Sequence, residues 1–509
     1  MIPSKNTILQ LLIFFTLFEI FLWMFIAIYE SSFSIIFFHL ILLVFLIPIL
    51  YKIKKTAFYI FSLSLFLRSI FTITAWFVAP FDARKYHTGT NEDSERFWES
   101  AKESLNQATG NFEDDGFSYI NSVLYQFSEV FGSASYLVNV QTVVFSGALM
   151  AAFSYLFVYE VYKNKNIALT TAIIMSISPI NISFSTGLMR DSLIGMFGII
   201  FLYLFIKAIN HKNSFRKLLL VFISFLSITA IFYLRSVSFF AFLGCAVAIM
   251  IFSKKFIGKM NFSNMTFYLI SIPFLSVISY YFFMENPERI QEIFLYQYTA
   301  RMGLATDGMI LMDQVNETGI TNSLYESSPF LLALISPYVY WMPMPFYSWE
   351  APIWNPGPNA LIDILIGFGG LFNQILFYLY AYAIYIWVRN NDGIGISLGF
   401  IFSTAICSLI LIGFGQIRMA MSHIYVFYYM GIAISIFSIY SNSRSFKEFR
   451  VSLFYWICTL VLLYISYYLY TIGVSIFYIL PFFITSLIFI LLNFYLLINL
   501  KILKLKDYS

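Results

Sequence analysis

Phe33-Ser-Ile-Ile-Phe-Phe-His-Leu-Ile-Leu-Leu-Val-Phe-Leu-Ile-Pro-Ile-Leu50 carries no charge, and only Ser34 and His39 interrupt its apolar character. An uncharged run of roughly 18 residues or more reads as a membrane-spanning helix. Flanking runs begin near Thr7 and Ala57. Further ones begin near Tyr136, Ile167, Ser192, Leu218, Ser236, Met265, Ala360, Ile394, Met419, Val451 and Gly473. At roughly 20 apolar residues per crossing, the chain is expected to cross a bilayer about 14 times. The first run is too long for a cleaved signal peptide, and no small-residue cleavage site follows it.

Composition points the same way. Of 509 residues, 60% are hydrophobic and 11% charged, against about 25% charged in soluble proteins. So much apolar surface cannot be hidden in one soluble body, which argues against a soluble enzyme, a disordered chain and a nucleic-acid binder. Cys245, Cys407 and Cys458 lie in separate apolar runs and suggest neither a disulfide framework nor a zinc site. The expected fold class is all-α, a polytopic integral membrane protein forming one membrane domain over residues 1–509.

Charge sets the orientation. With a cytoplasmic N-terminus, the inside turns carry Lys5, Lys52, Lys54, Lys55, Lys163, Lys165, Lys212, Arg216, Lys217, Lys254, Lys255, Lys259, Arg389, Arg444, Lys447, Arg450, Lys501, Lys504 and Lys506, 19 of the 30 basic residues. The acidic residues gather outside. This satisfies the positive-inside rule and places both termini in the cytoplasm. It requires Phe330 to Trp341 to be re-entrant or interfacial, because a full span there would invert everything after it. Two larger external loops result, Phe81 to Ser135 and residues 285–359, the second ending in a Pro- and Trp-rich segment. The inside loops leave no room for a nucleotide-binding domain, and no Gly-rich phosphate loop is present. Chemistry is therefore expected at the outer surface.

Several residues there carry candidate chemistry. Asp93 precedes Phe97, Trp98, Ala101 and Leu105, which recur at helical spacing. It reads as the N-cap of an interfacial helix or as a general base. Arg190 and Asp191 open the span that follows Ser178–Met189. Asp191 suits the helix dipole there and joins Asp93 as a candidate catalytic carboxylate. Arg190, Arg235 and Arg418 each stand at a separate external turn, and guanidinium groups suit a pyrophosphate. Glu350, in the aromatic segment Tyr340–Trp354, and His423 are secondary candidates, although a lone histidine such as His423 is more often a satisfied core residue. Glu19 and Arg68 lie mid-span; they are expected to pair with each other, the alternative being that Arg68 faces a lipid-pyrophosphate cavity.

The spacing D-x-x-x-F-x-x-x-A at Asp93, Phe97 and Ala101 is followed by Tyr119, Tyr125, Gly132, Asn139, Ser178-Pro179, Ser185, Leu188, Arg190-Asp191, Leu234-Arg235, Pro343-Met-Pro345 and Arg418. From roughly Ile60 to Tyr440 the pattern resembles bacterial GT-C glycosyltransferases that use polyprenyl-phosphate-linked sugars. It also resembles the O-antigen and capsule repeat-unit (Wzy-type) polymerases. The resemblance implies a GT-C-like fold in the bacterial inner membrane and a polyprenyl-pyrophosphate-linked oligosaccharide as substrate. It implies an external carboxylate as base, Asp93 with Asp82 as rival, and Arg190, Arg235 and Arg418 as pyrophosphate ligands; Arg68, in the alternative in which it faces the lipid-pyrophosphate cavity, is a further candidate ligand. A departure is that two extra spans precede the carboxylate loop. No cofactor is required; a divalent metal would suit the chemistry, although no ligand cluster demands one. A chain-length regulator protein is an expected partner. A single-sugar transferase, a ligase and a flippase for the lipid-linked oligosaccharide are the rival readings.

Overall fold

The computed structural model describes residues 5–78, 97–102, 115–252, 360–399, 417–440, 450–462 and parts of 465–495. Among the described residues every regular element is a helix. Helices α1 (Lys5–Tyr29), α2 (Phe33–Ile53) and α3 (Lys55–Val78) pack as an antiparallel triplet. Then come α4 (Asp115–Val130), α5 (Tyr136–Tyr162), α6 (Lys165–Ile177), α7 (Pro179–Ser183), α8 (Asp191–Asn210), α9 (Ser214–Leu234) and α10 (Ser236–Phe252). The last two are α11 (Ala360–Arg389) and α12 (Ile417–Tyr440).

Helix α5 is the axis. Its Val, Ala, Ser and Leu side chains are buried around most of its circumference, and it packs on α3, α6 and α8. A helix apolar on all faces belongs in the middle of a bundle or in lipid. Helix α8 joins α5 to α9, α10 and α12. At the periphery, α1, α2 and α9 leave Leu17, Phe21, Val44, Phe45, Phe215 and Phe222 more than half exposed. Water-soluble monomers do not tolerate continuous apolar faces of that extent; lipid does. Five described helices are long and apolar enough to cross a membrane: α2, α3, α5, α8 and α9.

The turns sort into two ends. At one, Lys54 lies over the Tyr159 ring with Nζ 2.9 Å from its centroid. Asn210 donates to Glu160 at 3.0 Å, and Tyr162 donates to Asp392 at 2.8 Å. Burial under the aromatic rings, with Lys163 nearby, holds the Lys54 ammonium below its ordinary range, while Glu160 opposes that shift. At the other end, Ser32 donates to the Ser133 carbonyl at 3.4 Å, Trp76 to Glu30 at 2.7 Å and Arg190 to the Leu234 carbonyl at 3.4 Å. These contacts join only turns that alternate-side threading puts together. The first is the lysine end, the second the arginine end.

One apolar run does not become a full crossing helix. The run from Ile167 forms α6, which has 13 residues, about 20 Å of helix against a hydrocarbon core of about 30 Å. Pro179 ends it: proline has no N–H to offer the Met175 carbonyl four residues back. The chain then turns through α7 and residues 184–190, where Ser183, Ser185, Thr186 and Leu188 are all buried. Arg68, fully buried, supplies the missing donors. Its Nη2 donates to the Met175 carbonyl at 3.4 Å and its Nη1 to the Ser176 carbonyl at 3.3 Å. Nε donates to Ser185 Oγ at 2.7 Å, and Nη1 also reaches the carbonyl and hydroxyl of Ser64. A cation here also complements the negative C-terminal end of α6.

This corrects the expected Glu19–Arg68 pair. Glu19 instead accepts from Ser69 Oγ at 2.7 Å and lies 3.6 Å from His39 Nε2. The reason is helical phase. Consecutive residues project about 100° apart, so Ser69 meets α1 while Arg68 meets α5 and the break after α6. Gly147 of α5 makes room for that contact: a Cβ there would lie 2.6 Å from both Arg68 Nε and Ser185 Cβ. Gly147→Ala is expected to destabilise the protein by about 2 kcal/mol, as overpacking does in a filled core, read as a lowered thermal midpoint in detergent. An unchanged midpoint would mean the Arg68–Ser185 contact yields freely.

Candidate functional site

Two of the three candidate arginines stand at adjoining helix termini at the arginine end. Arg190 occupies the N-cap position of α8, and Arg235 the C-cap position of α9. The antiparallel α8–α9 packing puts these positions side by side. Asp191, the first residue of α8, is buried, and its Oδ1 lies 3.2 Å from Arg235 Nη1. Arg190 Nη1 donates to the Leu234 carbonyl at the C-terminus of α9, where helical carbonyls lack partners of their own. Asp191, in the first turn of α8, complements the positive end of that helix. Two guanidinium groups and one carboxylate are thus fixed between the ends of two helices.

Residues 97–102 pack beside this cluster. Residues 97–102 are helical, and Phe97 and Ala101 are buried, as their spacing predicts. The Phe97 ring stands edge-on to Phe117 of α4, 4.8 Å between centroids, and the Arg190 guanidinium lies over Phe97 at 5.5 Å. Ser122 Oγ donates to the Ala101 carbonyl at 3.0 Å. Trp98 packs against Tyr125 and Tyr136. The Tyr125 hydroxyl is pushed above its ordinary range, first by burial and then by Glu129. Gly116 lets α4 approach α9, since a Cβ there would meet the Tyr233 backbone, its carbonyl carbon at 2.8 Å.

The remaining candidates are placed as follows. Arg68 does not present its guanidinium at this surface; it is fully buried and donates to the protein oxygens described above. Arg418 and His423 lie in the first two turns of α12, but their side chains are outside the described residues. Asp82, Asp93, Glu350 and the loop 285–359 are also outside them. Among the described residues no group of three or more His, Cys, Asp or Glu is placed to hold a metal ion. The Asp191–Arg235 pair was not foreseen, because it depends on how α8 and α9 register. Nor was His39 singled out, although a lone histidine inside Phe33–Leu50 was the available signal.

Fold and site together define an all-α, multi-pass membrane protein with no sheet among the described residues and a charged cluster at one end of the bundle. Comparison with protein-family models, with curated proteins and with solved structures finds no match to this chain.

Proposed function

We propose that the chain is a GT-C-like glycosyltransferase of about 14 spans. It transfers a sugar or oligosaccharide from a polyprenyl-pyrophosphate carrier to an acceptor glycan at the outer face of the bacterial inner membrane. Within that class it is a repeat-unit polymerase for O-antigen or capsule, with both termini cytoplasmic and a chain-length regulator as partner. The observation that carries this reading is that Arg190, which lies against Phe97, and Arg235, which pairs with the adjoining Asp191, stand at neighbouring helix ends.

The chemistry follows from the charges. An acceptor hydroxyl oxygen bonds to the anomeric carbon as the bond from that carbon to the pyrophosphate oxygen breaks. The lipid pyrophosphate leaves with the electron pair, and Arg190 and Arg235 stabilise the charge it gains. Asp191 holds Arg235 in place. Asp93 takes the hydroxyl proton. It precedes Phe97 by four residues, and four extended residues reach at most about 14 Å, so it is tethered within reach of Phe97. The weaker positive charge at the arginine end supports an outward orientation.

The test is complementation of a deletion strain with Asp93→Asn. The expected result is single, unpolymerised repeats on the cell-surface acceptor and no long chains, with the protein still inserted. Loss of all surface repeats would favour a flippase. A normal chain-length ladder would remove Asp93 from the mechanism.

A further inference from the structure

Glu19 is 1% exposed and His39 fully buried, and neither belongs to the arginine cluster. Glu19 lies ten residues before Tyr29 and His39 six residues after Phe33, about 15 Å and 9 Å from the arginine end along their helices. Ser69 Oγ donates to Glu19 Oε1 at 2.7 Å and accepts from Trp23 Nε1 at 3.1 Å. His39 Nε2 stands 3.6 Å from that same carboxylate oxygen. Both imidazole nitrogens are buried with no hydrogen-bond partner among the described residues. The ring is held between Trp23, at 5.5 Å, and Phe145, at 5.1 Å.

The groups facing the pair are few. Helix α1 contributes Glu19 and Trp23, α2 contributes His39 and α3 contributes Ser69. Arg68 turns away to Ser185, and α5 contributes Phe145 and Gln141. Glu30, at the end of α1, is engaged by Trp76. In so apolar a place a net charge is costly, and the pair is neutral only when it holds one proton, as acid and imidazole or as carboxylate and imidazolium. Ionisable groups in membrane-spanning helices mark functional sites, proton relays among them.

Further buried polar atoms lie toward the arginine end. Gln141 Nε2 donates to the Ile35 carbonyl at 3.0 Å, one turn from His39 toward the arginine end. Gln141 Oε1, Thr142 Oγ1 and Thr72 Oγ1 are buried without a hydrogen-bond partner among the described residues. Thr72 lies one turn beyond Ser69 in that direction. Buried polar atoms of this kind are ordinarily met by ordered water. We propose that Glu19 and His39 form an intramembrane proton-binding site that exchanges its proton with the arginine end through the polar column of Gln141, Thr142 and Thr72.

The test uses the full-length protein in lipid nanodiscs, titrated from acid to neutral pH and followed by infrared difference spectroscopy in water and deuterium oxide. The expected result is a deuterium-sensitive carboxyl or imidazole band whose titration vanishes in Glu19→Gln and whose midpoint moves by about tenfold in proton concentration in His39→Gln. Gln141→Leu is expected to slow hydrogen–deuterium exchange at the band several-fold while leaving the midpoint in place. A wild-type spectrum without such a band, or one that both Glu19→Gln and His39→Gln leave unchanged, overturns the site. Unaltered exchange in Gln141→Leu overturns the route. Should Glu19→Gln fail to insert, Ser69→Ala keeps the carboxyl and removes its hydroxyl donor. The band must then shift, and an unshifted band counts against the site.

Discussion

Arg68→Leu is expected to destabilise the folded protein by about 4 kcal/mol. Five hydrogen bonds leave this guanidinium. Nη1 shares its two hydrogens among three acceptors, and three of the contacts are 3.3 to 3.4 Å long, so the five amount to about four bonds of about 1.7 kcal/mol each, near 7 in all. Removing the charge also removes the cost of holding it in the membrane, about 3 kcal/mol. The balance favours the native residue, because Pro179 deprives the Met175 carbonyl of its helical donor. Arg68→Lys should recover less than half of the loss, since one ammonium cannot span acceptors on α3, α6 and the segment after α7. Pro179→Ala in the Arg68→Leu background should recover about 1 kcal/mol by restoring a backbone donor for Met175. Thermal unfolding of the four variants in detergent checks this as a double-mutant cycle. Additive effects would mean that Arg68 does not act through the break.

Arg190→Ala is expected to lower the rate of glycan transfer by about a hundredfold to a thousandfold, the usual loss when one preorganised donor to a developing negative charge is removed. Arg190 reaches this position because it caps α8 and its guanidinium is sandwiched between Phe97 and the end of α9. Arg190→Lys should retain part of the rate, because a lysine keeps the charge and loses the planar fork. Arg235→Ala should lose both rate and stability, since Asp191 is left buried beside the site without its cation. The assay is turnover of a polyprenyl-pyrophosphate oligosaccharide by purified protein. Full turnover by Arg190→Ala would remove the arginine pair from the leaving-group role.

That the chain is all-α and crosses a membrane several times was legible because the constraint acts on long windows: about 20 apolar residues are needed to cross. The helix at residues 97–102 was legible for a similar reason, its apolar spacing being local. What depended on helical phase was not legible. Arg68 and Ser69 are neighbours in sequence, yet one serves the break after α6 and the other serves Glu19. Ser178-Pro179 advertised a turn, but not that it would sit among buried side chains with an arginine under it. At the candidate site, the arginines at separate turns were visible one by one. That Asp191 would answer Arg235 required the antiparallel register of α8 and α9, which no local pattern carries.

Arg68 is separated in sequence from the Met175 and Ser176 carbonyls by 107 and 108 residues. A ribosome feeding this chain into a bilayer delivers the guanidinium long before its acceptors exist. Until α6 emerges, α3 sits in lipid with a cation met only by Ser64 of its own helix, and α6 arrives too short to enter by its own apolarity. The two defects repair each other only when they meet, so biogenesis should pass through a late, concerted docking step, with α3 held loosely at the translocon until the fifth and sixth helices have been made.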